Sequence, residues 1–512
     1  MQISQAQIWI IDFGSQYTQL IARKVRELHH SSMLLSWHEA RQAWQRQQYP
    51  QALILSGGPG SLAEDQEDYS CLKDLPALPM LGICYGMQII GKVFGGRVQT
   101  GKSGEYGPQQ VEVLDEQGQV VDQMPVWMSH GDQVAQLPPG FKAWMQSGIG
   151  LAAMRHTERL IWGVQFHIEV KHTPRGQEIL QSFLQAAQLT EDWPQEALLQ
   201  EAQAAFTDIH APILCAFSGG VDSLVAATLA ARQNLPVRCF FVDNGLLRPQ
   251  DKAHIKTLQQ ATNLSIEVID AAATFLTNLK GVTDPETKRK IIGQTFIKVF
   301  EQQVHAYEQR HQLKFKYLLQ GTLYPDVIES RSPRPGGKSV TIKSHHNVGG
   351  LPATMALELI EPLKFLFKDE VRLLGLHLGL RKEWVFRHPF PGPGIGVRVL
   401  GEVRPELVQD VQHADQILLE LMQKFSIYDR VWQAFPVLIP QKTVGVKGDA
   451  RAYEYVMALR IVNSSDGMTA QWAVVPPEFL AEVSTRITNE IAGITRVVYD
   501  ITSKPPGTIE WE

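Results

Sequence analysis

The stretch "PMLGICYGMQIIGKVFGG", Pro79–Gly96, reads as strand, sharp turn, helix and stop. Met80–Ile83 is a short apolar run. Gly82 and Gly86 flank Cys84 in a G-x-C-x-G turn. Apolar residues then recur at helical spacing, and Gly95-Gly96 closes the helix. The same alternation surrounds it. "AQIWIIDFG" (6–14) is an apolar strand, "TQLIARKVREL" (18–28) has helical spacing, and "ALILSGGPG" (52–60) is another strand running into glycines. Strands alternating with helices predict a parallel sheet covered on both faces.

Further along, "VEVLDEQGQVV" (111–121), "GLAAMRH" (150–156) and "LIWGVQFH" (160–167) form a strand-heavy stretch. The helix "EILQSFLQAAQL" (178–189) closes it. "TEDWP" (190–194) reads as a linker. A second α/β unit then begins: strand "APILCAFSGG", helix "SLVAATLAARQ", strands "LPVRCFFVDNG" and "FKYLLQGTLYPD". "RHPFPGPGIG" (387–396) has too many prolines and glycines for an element interior and reads as a hinge. Beyond it, "VLIPQKTVGV" and "ITRVVYDI" are strands. The expected fold class is therefore α/β: two doubly wound parallel-sheet domains, 1–189 and 190–388, and a smaller α+β C-terminal domain, 389–512.

Composition bounds the function. A chain of 512 residues suits about three domains. A net charge of −5 argues against a dedicated nucleic-acid binder. No apolar run approaches a membrane span. "QISQAQ" after Met1 lacks the basic region and apolar core of a signal peptide. Cys71, Cys84, Cys215 and Cys239 form no C-x-x-C pair and no zinc spacing, as expected in a reducing cytoplasm.

Cys84 occupies a nucleophile elbow. The turn exposes the sulfur at a helix N-terminus, where the reactive thiolate is favoured. "GVQFHIEV" offers a base, His167, and two residues on, Glu169; on a strand these share one face, so the carboxylate would orient the imidazole. Glycines in "LSGGPG", Gly58 among them, and the N–H of Tyr85 are candidate oxyanion donors. "GGPG", "GICYGMQ", "MSHGD" and "QFHIEV", in this order, closely resemble the class I glutamine amidotransferase domain over about the first 185 residues. The resemblance implies glutamine hydrolysis through a cysteine thioester, with Cys84 as nucleophile, His167 as acid–base and Glu169 as its orienter. It also implies that Gln88, Ser129 and His130 line the glutamine site. The family usually has proline where Ile168 stands, which implies a change of packing in that segment.

Two lysine-bearing phosphate-loop patterns are decoys. "GRVQTGKS" (96–103) matches Walker A, but a helix precedes it and a turn and strand follow, the reverse of what phosphate binding needs. "GGKS" (336–339) lacks the first glycine, since Ser332 stands there. "SGGVDS", Ser218–Ser223, has the right setting: strand before, helix after. Gly219 and Gly220 let backbone N–H groups approach a phosphate, Ser218 and Ser223 add hydroxyls, and Asp222 fixes the loop or sits near magnesium. The motif resembles the signature of the ATP pyrophosphatase family, which cuts ATP between its α and β phosphates and passes AMP to an acceptor. That resemblance brings Val221 into the loop and places Asp243, ending "FFVD", close to the nucleotide. "LQGTLYPDVIES" and "IKSHHNVGG" extend it.

One site makes ammonia and the other an adenylated electrophile. The domain order, with "RHPFPGPGIGVRVLGEV", "TVGVKGDAR" and "SKPPGTIEWE" at the end, resembles the glutamine-dependent enzymes that aminate a purine nucleotide, along essentially the whole chain. The resemblance implies xanthosine monophosphate as acceptor, adenylated on its 2-oxo group, and ATP with Mg2+. It implies contacts to that nucleotide from Gln433, Arg496, Lys504 and Glu510, with Arg289 a further candidate, and a homodimer built through the C-terminal domain. Two other readings stand beside it. A tRNA-modifying adenylating enzyme is opposed by the acidic charge, the missing C-x-x-C pair and the fused amidotransferase. A non-catalytic glutamine-sensing scaffold is opposed by the intact Cys84, His167, Glu169 and phosphate loop.

Overall fold

The computed structural model describes residues 6–329 and 357–512, apart from positions 63, 66, 448, 465, 466 and 468. The motifs at 336–339 and 342–350 lie outside the described residues. The chain forms two compact units, Met1–Glu201 and Ala202–Glu512.

The first unit is built on a nine-stranded sheet of order β2-β1-β3-β4-β9-β8-β7-β5-β6. Its strands are β1 (Ile8–Asp12), β2 (Ser32–Ser36), β3 (Ala52–Leu55), β4 (Met80–Ile83), β5 (Arg97–Leu114), β6 (Val120–Gln136), β7 (Phe141–Gln146), β8 (Leu151–His156) and β9 (Ile161–Val164). From β2 to β9 the pairing is parallel; from β9 to β6 it is antiparallel. β3 and β4 are buried at every position, because a parallel strand covered on both faces has no solvent side. β6 instead alternates, burying Met128, His130, Asp132 and Val134 along one face.

Two sequence readings change here. "QFHIEV" is not strand: β9 ends at Val164 and His167–Glu169 lie in the loop beyond. "TEDWP" is not free chain. Ser31 N–H donates to Asp192 Oδ1 at 2.7 Å, and the Arg26 guanidinium lies 4.8 Å over the buried Trp193 ring. The Walker-like letters fall on the helix end and the long strand β5, the flanks expected of a decoy.

The second unit holds a parallel sheet of order β12-β11-β10-β13-β14, made of β10 (Ile213–Ala216), β11 (Val237–Asp243), β12 (Ser265–Asp270), β13 (Tyr317–Leu319) and β14 (Glu358–Ile360). Strand order reverses between β10 and β13, and ligands bind at such a switch point. A smaller sheet joins β15 (Gln433–Lys447), β16 (Ala450–Asn463), β17 (Gln471–Trp472) and β18 (Ile494–Tyr499). One apolar core runs through both, from Phe240 and Phe300 to Leu418, Met457 and Phe479. "RHPFPGPGIG" is therefore not a hinge. Ile395 is fully buried, its N–H donates to Leu246 O at 2.8 Å, and Lys288 Nζ donates to the carbonyls of Gly396 and Val399 at 3.4 and 2.8 Å. Among the described residues no helix is long and apolar enough to cross a membrane.

Candidate functional site

In the first unit Cys84 caps the helix Tyr85–Val93 with φ 53° and ψ −105°, a strained backbone for a residue with a Cβ. Short contacts on both sides hold it there. Its N–H donates to Val164 O at 2.7 Å, and the Gly86 N–H donates to Ser56 O at 2.9 Å. Gly86 is required for close approach, since a Cβ there would sit 2.2 Å from Leu55 O. The elbow glycine thus lets the helix start against the end of β3.

His167 is buried, and its Nδ1 lies 2.7 Å from Glu169 Oε1. The loop is tied down: His167 N–H donates to Trp127 O at 3.0 Å and Thr173 Oγ1 donates to His167 O at 2.6 Å. Ile168 is buried in it. Burial works against an imidazolium, but the Glu169 carboxylate and the Cys84 thiol overcome it and hold the His167 pKa well above its ordinary value. The predicted pair therefore meets in space, on a bent loop rather than on a strand.

A cleft of about 210 Å³ opens at Cys84, lined among others by Gly58, Tyr85, Gln88, Ser129 and His130, all five expected there. Gln88 Nε2 donates to Asp132 O at 2.8 Å, and the Cys84 thiol faces Ser129 O at 3.7 Å. Sequence reasoning missed Glu105, Tyr106 and Asp132. Glu105 Oε2 lies 3.1 Å from His130 Nε2, and Asp132 accepts from Ser61 and Thr100 at 2.6 and 2.9 Å. The period-two alternation along β6 was the available signal for Asp132.

In the second unit the loop Ser218–Ser223 leaves β10 at the switch point and opens the helix Val221–Arg232. Gly219 has φ +74°, and Ser218 Oγ lies 3.1 Å from Ser223 Oγ and accepts from Gly220 N–H at 3.2 Å. Asp243 ends the neighbouring strand β11 at the same sheet edge, paired with Lys252 at 2.7 Å. Lys368 was missed. Its Nζ reaches both oxygens of Asp222, at 2.8 and 2.6 Å. It is the first residue of the helix Lys368–His377, where the helix dipole disfavours a cation. That local conflict was the signal. Among the described residues no group of three or more His, Cys, Asp or Glu is placed to hold a metal ion.

A family model described as "Glutamine amidotransferase class-I" matches residues 9–187, "Phosphoadenosine phosphosulfate reductase domain" matches 212–322, and "GMP synthase C terminal domain" matches 420–511. The chain is 48% identical over 528 aligned residues to the GMP synthase [glutamine-hydrolyzing] of Chlorobium chlorochromatii, covering 99% of both chains. It is 49% identical to that of Phenylobacterium zucineum, covering 99% of this chain and 98% of the other. The chain belongs to the glutamine-hydrolysing GMP synthase family. The GMP synthase C-terminal match includes Gln433 and Glu510, which the fold joins: Gln433 Nε2 donates to Glu510 Oε1 at 3.0 Å and to Pro389 O at 3.2 Å. Arg398 was missed. It is buried under Phe435 at 4.1 Å and donates to Glu510 Oε1 at 2.9 Å. The other expected residues make contacts elsewhere. Arg289 lies 3.6 Å from Glu286, Arg496 donates weakly to Val444 O at 3.4 Å, and Lys504 donates to Gly467 O at 2.8 Å.

Proposed function

We infer that the chain carries the activity of its family: glutamine is hydrolysed to glutamate and ammonia, ATP adenylates xanthosine monophosphate, and ammonia displaces AMP to give GMP, with pyrophosphate released. The observation that carries this is the presence, in one chain alignable end to end with GMP synthases, of the Cys84–His167–Glu169 constellation and the Ser218–Ser223 loop. The working division remains 1–189 for glutamine, 190–388 for ATP and 389–512 for the acceptor and dimer contacts.

Cys84 attacks the glutamine carboxamide. The oxyanion takes N–H groups of Tyr85 and Gly58, and His167 gives its proton to the departing ammonia. Water then hydrolyses the thioester with His167 as base. Glu169 keeps the ring oriented and its proton in place. Gln88, Ser129 and His130 shape the cleft around the substrate's amino-acid end. In the second unit the N–H groups of Gly219, Gly220 and Val221 and the hydroxyls of Ser218 and Ser223 face the departing pyrophosphate. Lys368, anchored on Asp222, adds the cation that the loop itself lacks. Asp222 and Asp243 each already face a lysine, so magnesium suits this site as the Mg–ATP substrate, held mainly by phosphates, rather than as a resident ion. Gln433 and Glu510 present an amide and a carboxylate to the xanthine acceptor, while Arg496, Lys504 and Arg289 are the cations assigned to its phosphate.

Exposed Val444, Val446 and Tyr453 on β15 and β16 support a homodimer through this sheet, and four free cysteines support a cytoplasmic setting. Cys84→Ala tests the whole reading. Glutamine-dependent GMP formation is abolished and synthesis from ammonium salts persists. Loss with both nitrogen sources in a folded variant, or retention with glutamine, refutes it.

A further inference from the structure

Asp65 has no role in the reaction as described, yet it ties together the two sides of the glutamine cleft. It lies in the segment that follows β3 and carries Gly58. Its Oδ2 accepts from the Tyr69 hydroxyl at 2.6 Å and also from the Tyr85 hydroxyl. Tyr85 is the first residue of the helix after Cys84, so its ring and its main-chain N–H hang from one Cα. Gly58 rests on that ring: a Cβ there would lie 3.2 Å from Tyr85 Cδ1 and 3.0 Å from Phe13 O. Two more stitches fix the segment, Ser61 Oγ to Asp132 Oδ2 at 2.6 Å and Lys92 Nζ to Leu62 O at 3.3 Å. Phe13 packs against both tyrosine rings, with centroids 5.7 and 5.6 Å away. Burial, and then Asp65, push the Tyr85 and Tyr69 hydroxyls up, so both remain donors. Burial alone would raise the Asp65 pKa, but the hydroxyls of Tyr69 and Tyr85 outweigh it and hold it below the ordinary value.

We propose that Asp65 is a positioning residue for glutamine hydrolysis: by clasping Tyr85 from the segment that bears Gly58, it fixes the distance between the two N–H groups that receive the oxyanion. Donors of this kind act only within about 2.7–3.1 Å of the oxyanion, and a site tolerates roughly 0.5 Å of drift. Asp65 itself does not touch glutamine. The proposal rests on the assignment of the Cys84 cleft to glutamine hydrolysis.

The test compares Asp65→Asn, Asp65→Ala, Tyr85→Phe and Cys84→Ala in the full chain. Glutaminase kcat falls about 10-fold in Asp65→Asn and Tyr85→Phe and about 10²-fold in Asp65→Ala. KM for glutamine stays within about twofold, as for an interaction realised only in the transition state. In the Asp65 variants, ammonium-dependent synthesis and the rate of Cys84 alkylation by iodoacetamide are unchanged. Affinity for glutamate γ-semialdehyde falls in step with kcat, because its thiohemiacetal oxygen occupies the same donor pair. Unchanged kcat and aldehyde affinity in Asp65→Asn and Tyr85→Phe overturn the proposal, as does a raised KM at native kcat, which would make Asp65 a wall of the cleft. Should Asp65→Ala fail to fold, the other two variants decide. A Cys84→Ala variant that still uses glutamine overturns the cleft assignment instead.

Discussion

Gly86→Ala adds one methyl group where two backbones touch. The new Cβ would lie 2.2 Å from Leu55 O and 2.7 Å from Leu55 C and Cβ, where ordinary contact begins at 3.4 Å. Neither partner is the flexible end of a side chain, so β3 and the helix Tyr85–Val93 must separate by about 1 Å. That separation breaks the Gly86 N–H to Ser56 O bond of 2.9 Å. Overpacking costs about 1–3 kcal/mol, and a lost buried hydrogen bond about 1 kcal/mol more. Alanine's better helix propensity returns up to about 1 kcal/mol, leaving roughly 1–3 kcal/mol of net destabilisation. The catalytic effect is larger. Ser56 leads directly into Gly57 and Gly58, so the oxyanion donors move apart, and a displacement of about 1 Å costs roughly 10²-fold in rate. The assay measures glutamine hydrolysis and ammonium-dependent synthesis on the same preparation, with a melting curve. Hydrolysis falls about 10²-fold, synthesis from ammonium is retained, and the melting temperature drops. Near-native hydrolysis and melting would mean that the β3–helix contact tolerates the methyl, and the account of the elbow would be wrong.

Glu169→Gln removes the charge that opposes burial at His167. Native His167 has a raised pKa, so the pair's contribution is fully present below the unfolded value of about 6.5 and is lost as pH rises through the folded value. In the variant, the alkaline limb of kcat/KM for glutamine moves to lower pH and the rate falls about 10²–10⁴-fold; an unmoved limb would remove Glu169 from the chemistry. Lys368→Met lowers pyrophosphate release about 10²-fold and leaves glutamine hydrolysis intact. Combining it with Asp222→Asn costs little more than either change alone, because the two act as one ion pair; additive losses would separate them.

Much of the fold was legible because parallel strands buried on both faces read as unbroken apolar runs, as in "LIL" and "MLGI". The loop holding His167 was not. "QFHIEV" alternates like a strand, but the chain turns after Val164, whose carbonyl already accepts the Cys84 N–H, and the turn is what brings His167 to Cys84. His167 and Glu169 still meet, because two residues of bent loop span the distance as well as two of strand. "RHPFPGPGIG" misled for a different reason. Proline and glycine were taken as marks of loose chain, yet the end of this segment, Gly394–Gly396, is buried, and the carbonyls of Gly396 and of Val399 just beyond it receive the buried Lys288 ammonium. Composition reports backbone freedom; it does not report whether a distant cation satisfies the backbone that is buried.

The two phosphate-loop patterns show where letters stop and geometry begins. "GRVQTGKS" has every letter of a Walker motif and lies at a helix end that runs into β5, where no helix N-terminus faces outward. "SGGVDS" lacks the lysine and lies where a strand gives way to a helix, at the reversal of strand order. Its cation comes from 146 residues away, when Lys368 closes on both oxygens of Asp222. Gly321, just beyond β13 on the other side of the switch point, permits the close packing: a Cβ there would stand 2.8 Å from Asp222 C. A lysine within the loop would be fixed by the loop alone. One held across the sheet edge is placed only when β10, β13 and the helix Lys368–His377 are all docked, so this ammonium stands beside the loop only in the folded unit.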